Sequence, residues 1–230
     1  MYNIIVIIIC LITILILKIS LNVKLKEIIN LRKRRNNFLE KVANKFESEE
    51  KICKEILYKL GNKEVKIEID ENSDSSLYIV LTNKIILGKF NQQYMKIQTI
   101  AHECIHSIQN KFTLWFNYIF SNIFNIYFII LSILSLFNKI NNTNIQTIIL
   151  IFVALIQYIV RESLENEALI KAPIIAKEYI DSKEIFTNQE KEELEKEYNY
   201  ITKLGTSTMN FILITKNIIK IIIYQIIIII

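Results

Sequence analysis

His102 and His106 are the only histidines of this chain; they stand four residues apart in "TIAHECIHSIQN" (Thr99–Asn110), and Glu103 follows the first directly. An α-helix advances 100° per residue, so positions i and i+4 lie one above the other on one face. Two imidazoles so placed can take adjacent corners of a zinc tetrahedron, with the Glu103 carboxylate beside them to receive a proton from water. An HExxH string is only moderately specific, arising by chance on the order of once per hundred chains of this size. The competing explanation is therefore an accident of composition, and the elements around the motif decide between the two.

A catalytic zinc takes three protein ligands and leaves a fourth position open. No third histidine exists, so an HExxHxxGxxH arrangement is excluded and the third ligand must be a carboxylate or a thiolate. Cys104 lies about 200° round the helix from His102, on the wrong face, and reads as a small buried residue. Beyond His106 no acidic residue occurs until Glu162, in "RESLENEALIKAPIIAKEYI" (Arg161–Ile180). On a helix, Leu164, Ala168, Ala172 and Ile175 form an apolar stripe whose alanines let a second helix approach closely. Glu165 lies about 60° from Ala168, whereas Glu162 and Glu167 lie further away. Glu165 is the expected third ligand; the alternative leaves all three glutamates in solvent, the usual fate of that side chain. Pro173 is expected to kink or restart this helix.

The motif needs a frame. Apolar positions recur at helical spacing from Glu27 to Leu60, and "KLGN" supplies a stop. From Val65 the pattern alternates, in "VKIEI", "LYIVL" and "KIILG", broken by "DENSDSS" and by Thr82–Asn83, which predicts a small sheet of two or three strands. A new helical run begins near Gln92 and carries the two histidines. Four further segments are apolar enough to consider as membrane spans: Ile4–Leu17, Phe116–Phe137, Ile145–Val160 and Phe211–Ile230. The middle pair, joined by "NKINNTN", reads as a membrane hairpin. The last carries Lys216 and Lys220, and either crosses with snorkelling or lies in the interface, crossing being favoured. The N-terminal segment lacks a basic n-region and a small-residue cleavage site, so it reads as an uncleaved anchor.

Lys18, Lys24, Lys26, Arg32, Lys33, Arg34 and Arg35 follow that anchor, and such a cluster marks the cytoplasmic side. Two crossings return a chain to the side it left, so His106 and the Glu165 segment are expected on the same face of the membrane, the cytoplasmic one. Cys10, Cys53 and Cys104 are odd in number and form no CxxC pair, which indicates neither a disulfide framework nor a thiolate cluster. The expected fold is thus an α+β membrane protein, mostly helical, with a small sheet ahead of the HExxH helix and about four transmembrane helices. Its expected organisation is an anchor over 1–23, a cytosolic helix, sheet and HExxH helix over 24–115, the hairpin over 116–160, a cytosolic helical segment with the third ligand over 161–210, and a final transmembrane or interfacial helix over 211–230.

These residues resemble the bacterial membrane-bound neutral zinc metallopeptidases of the YugP-like type. That family has an N-terminal span, a soluble α+β stretch, a helix reading AHEVGHAIQ, a membrane hairpin, an E-F-D-A-S-x-x-A segment and a C-terminal span. This chain is similar over nearly its whole length, with "AHECIHSIQ" at Ala101–Gln109 and "ENEALIKA" at Glu165–Ala172 in the same order. The resemblance implies His102, His106 and Glu165 as ligands of one zinc ion and Glu103 as the base. The E-x-x-A element also looks like the third-ligand helix of the wider gluzincin group. The chain departs from the family at Ile105, Ser107, Glu167 and Leu169, none of them a ligand position; Gln109 matches, as a residue that either supports a ligand or packs.

The function so implied is hydrolysis of peptide bonds by a multi-pass protein of the cell membrane acting on protein or peptide substrates. A substrate could add as a strand to "LYIVL" or "KIILG", and Tyr179, Tyr198 and Tyr200 are candidate oxyanion donors. Two other classes compete. One is an inactive membrane scaffold with a structural metal, disfavoured because structural zinc takes four protein ligands. The other is a lipid- or nucleic-acid-binding protein built on the basic cluster. That cluster adjoins a span and lacks interleaved aromatics, so no nucleic-acid partner is expected.

Overall fold

The computed structural model describes residues 2–34 and 36–230; Arg35 of the basic cluster lies outside the described residues. The chain is mostly helical with one three-stranded sheet. In chain order the elements are α1 (Tyr2–Ser20), α2 (Leu25–Lys33), α3 (Asn37–Ala43), α4 (Glu49–Lys59), β1 (Lys66–Asp70), β2 (Leu77–Ile79), β3 (Lys84–Gly88), a 3₁₀ turn (Gln93–Met95), α5 (Lys96–Ile108), α6 (Lys111–Leu136), α7 (Thr143–Asp181) and α8 (Asn188–Ile229). They divide into two compact units, one of Met1–Lys24, Trp115–Ser163 and Ser207–Ile230, the other of Leu25–Leu114 and Leu164–Thr206.

In the first unit, four helices contribute segments long and apolar enough to cross a membrane: α1, α6, α7 and α8. Phe124, Leu131, Leu150, Ala154, Ile218, Ile221 and Tyr224 form its buried cluster, with Cys10 of α1. Large apolar side chains point the other way, among them Ile8, Leu15, Ile123, Ile148 and Phe152. An apolar exterior of this extent is what a lipid-facing surface requires and what a water-facing one avoids. Polar contacts join the helices inside: Asn217 donates to the Ala154 carbonyl at 3.0 Å and to Gln157 at 2.7 Å, and Gln225 donates to Thr147 at 2.8 Å.

The second unit holds the sheet and the histidines. Its strand order is β1-β3-β2, with β1 parallel and β2 antiparallel to β3, so β3 is interior and β2 has a free edge. Ile85 and Leu87 of β3 are fully buried with Ile52, Cys53 and Ile56 of α4 and Ile97, Ile100, Cys104 and Ile105 of α5. The continuous helix expected from Glu27 to Leu60 is instead three helices. Asn36 and Ser48 cap α3 and α4, each side chain accepting from the backbone N–H three residues on, and each cap starts a new helix. Conversely, α7 runs unbroken through Pro173. Ala168, Ala172, Ala176, Tyr179 and Ile180 are buried on both sides of the proline, and that packing outweighs the missing hydrogen bond. The end of α7 and the turn after it are latched to the start of α4: Tyr179 and Lys183 both donate to Glu47, just before α4, at 2.8 and 2.9 Å, and Lys183 also pairs with Glu55 of α4.

Candidate metal centre

Helix α5 exists because Ile97, Ile100, Ala101, Cys104 and Ile105 repeat at helical spacing and are all buried. That burial fixes the rotation of the helix and leaves His102 and His106 on its less deeply buried side, sharing a face with Thr99. The helix ends at Gln109, whose backbone turns extended (φ −62°, ψ 163°), and its side chain reaches back to His106. The buried alanine stripe of α7 sets Glu165 the same way. Ala168 belongs to the same core cluster as Ala101 and Ile105, so the carboxylate emerges beside the imidazoles.

His102 Nε2 and His106 Nε2 stand 3.1 Å apart, and Glu165 Oε2 is 3.7 Å from the first and 3.8 Å from the second. A triangle with these sides has a centre roughly 2.1 Å from every corner, which is the length of a zinc bond to imidazole nitrogen or carboxylate oxygen. Two imidazoles and one carboxylate are also the donor set of an open site with three protein ligands. The geometry and the chemistry of these residues therefore fit a divalent ion. Among the described residues this is the one group of three His, Cys, Asp or Glu side chains placed to hold a metal.

Glu103 is next to the triangle and only 7 % exposed. Burial pushes its carboxyl up to about 7; the Glu165 carboxylate adds to the rise, while the His102 imidazole and a hydrogen bond from the Tyr78 backbone N–H oppose it. Tyr78 lies on β2, so the free edge of the sheet meets α5 at this carboxylate. One helical turn before Glu103, Thr99 lines a cleft of about 620 Å³ whose wall includes Ser75, Phe90 and Met95.

Gln109 is nearly buried, at 4 % exposure. Its Oε1 lies 2.8 Å from His106 Nδ1, and its Nε2 donates to the Leu164 carbonyl at 2.7 Å and to Glu167 at 3.0 Å. Glu167 is thus a partner of Gln109 and of Lys171, whose hydrogen bonds hold its carboxyl below the usual range. The family resemblance marked Gln109 as a residue that either supports a ligand or packs, but gave no sign of the bridge to α7.

Other expectations are corrected. "KIILG" is β3, the interior strand, so it has no free edge for a substrate; "LYIVL" contains β2, which does. The candidate oxyanion donors commit their hydroxyls elsewhere: Tyr179 to Glu47, Tyr198 to the Tyr94 carbonyl and Tyr200 to Glu27. Cys104, by contrast, is fully buried as expected, with its sulfur 3.7 Å from that of Cys53 on α4. Ile105 and Ser107, where the chain departs from the family pattern, are packing residues: Ile105 is in the core, and Ser107 donates to the Cys104 carbonyl and accepts from Asn62. Comparison with protein-family models, with curated proteins and with solved structures finds no match.

Proposed function

We propose that the chain is a membrane-anchored zinc metallopeptidase of the gluzincin type, as the resemblance to the YugP-like family implies, with His102, His106 and Glu165 as ligands and Glu103 as general base. The observation that carries this reading is the donor triangle, sized for zinc, with a buried carboxylate of raised pKa at its side. Zinc, when bound there, supplies Lewis-acid polarisation of a substrate carbonyl and acidifies water. Glu103 takes the proton from the attacking water and delivers it to the amine nitrogen as the carbon–nitrogen bond breaks. A group poised near neutral pH serves both steps. The outer edge of β2 is the side open to an extended peptide by strand addition, which would take over the Tyr78 N–H from Glu103, with the cleft at Thr99 receiving the flanking residues.

The α7 helix supports a site close to the bilayer surface, since Glu165 follows the apolar stretch ending at Val160 by less than two turns of the same helix. The basic residues after α1 support a cytoplasmic side for that surface. The test uses purified protein in detergent. Parent and Glu103→Gln chains should hold equal zinc, while casein cleavage falls by about 10²–10⁴-fold in the variant. Zinc without cleavage in the parent would favour the scaffold; no bound zinc in the parent would end the reading.

A further inference from the structure

The side-chain amide of Gln109 has only one orientation that satisfies its neighbours. Both groups on its Nε2 side, the Leu164 carbonyl and the Glu167 carboxylate, are acceptors without a proton to give. The amide nitrogen must face them, so Oε1 faces His106 Nδ1, and an amide oxygen can only accept. The proton of the neutral imidazole is therefore on Nδ1, and the Nε2 lone pair points into the donor triangle. The same amide reaches across to the carbonyl of the residue immediately before Glu165. One side chain thus governs both the tautomer of a ligand on α5 and the approach of the ligand on α7.

We propose that Gln109 is the positioning residue of the metal centre, fixing His106 as the Nδ1–H tautomer and tying the two ligand helices together. The inference rests on the metal-site reading above, but its mark is present in the chain without metal. There, His106 Nε2 has no proton and accepts from His102 Nε2–H across the 3.1 Å separating them. Glutamine is the side chain this role requires. Glutamate lacks the donor and would set a second carboxylate against Glu167, and alanine would strand the Nδ1–H and remove the link to Leu164 in a buried place.

The chain has two histidines, so nitrogen-15 labelling of histidine reports these rings alone. In the chelator-treated, detergent-solubilised parent at pH 8, the expected spectrum has His106 protonated on Nδ1 and His102 on Nε2. Adding zinc should move only the His102 proton. Gln109→Ala should lose the His106 preference and bind zinc roughly 10–100-fold more weakly in chelator competition. Gln109→Glu should be impaired as well, and Gln109→Glu with Glu167→Gln, which restores a donor facing an acceptor at position 167 but leaves the Leu164 carbonyl facing a carboxylate oxygen, should recover the affinity only in part. Nε2 protonation of His106 in the metal-free parent overturns the proposal without any variant, as does unchanged zinc affinity in Gln109→Ala. Failure of the parent to bind zinc, with the His106 proton on Nδ1, would overturn the metal-site reading and leave the tautomer assignment standing.

Discussion

At the residue scale, the three donors differ in what they contribute, and the difference is measurable. Glu165 is the only anionic member of the triangle, so Glu165→Gln should lose zinc on dialysis against a weak chelator. Glu162→Gln should retain zinc like the parent, because Glu162 is no part of the cluster. Equal retention in the two variants would remove Glu165 from the ligand set. The pair His102 and His106 was legible in the sequence because both lie within one turn of one helix, where spacing alone dictates geometry. Glu165 was legible through the alanine stripe that fixes the rotation of its helix. Gln109 was marked only by the family resemblance, as a residue that supports a ligand or packs, and its bridge to α7 and the Tyr78 N–H were not legible, since a C-cap side chain folding back and a backbone N–H at a sheet edge leave no periodic signature. Nothing in local spacing showed that the tyrosine hydroxyls are engaged with Glu47, Glu27 and the Tyr94 carbonyl.

At the scale of elements, the edge strand β2 depends on one glycine of its neighbour. A Cβ on Gly88 would meet the Ser73 and Ser75 carbonyl oxygens at 2.6 Å, and the Gly88 N–H is bonded to Ser76 Oγ at 3.1 Å. Gly88→Ala should therefore push the 71–76 loop away, shift the start of β2 and cost about 1–3 kcal/mol of stability. Cleavage should fall while bound zinc is unchanged, because no ligand lies on the sheet; loss of zinc instead would mean that the sheet sets the metal site. The latch on α7 has its own signature in pH. Hydrogen bonds from Lys51 and Lys183 hold the Glu47 carboxyl down to about 2, from an ordinary 4.5. A depressed folded pKa stabilises fully above the unfolded value, so this contribution is present above about pH 4.5 and fades as pH falls towards 2. Parent and Glu47→Gln chains should differ in thermal unfolding near pH 6 and converge by about pH 2; a gap that persisted there would locate the latch elsewhere. Strand and helix types were readable from periodicity, but the break of the 27–60 run and the continuity of α7 through Pro173 were set by caps and by tertiary packing that periodicity does not register.

At the scale of the whole molecule, the reading turns on parity. The candidate ligands of α5 and α7 belong to one compact unit, yet the chain between them passes through the apolar hairpin of α6 and the first half of α7. Sharing one ion requires that this passage cross the bilayer twice or not at all. The outward-facing apolar side chains of Ile123, Ile126, Ile148 and Phe152 favour two crossings, because water would leave them unburied at a cost of roughly 1.5–3 kcal/mol each. A tag in the 138–142 turn should then be reached by an impermeant reagent from outside sealed cells. A tag at 183–187, beyond the latched end of α7, should be reached only after permeabilisation. The reverse pattern would move the candidate site to the outer face with its chemistry intact, since parity is preserved. Equal accessibility of both tags would mean that the hairpin does not cross, and the exposed isoleucines would then need another cover than lipid.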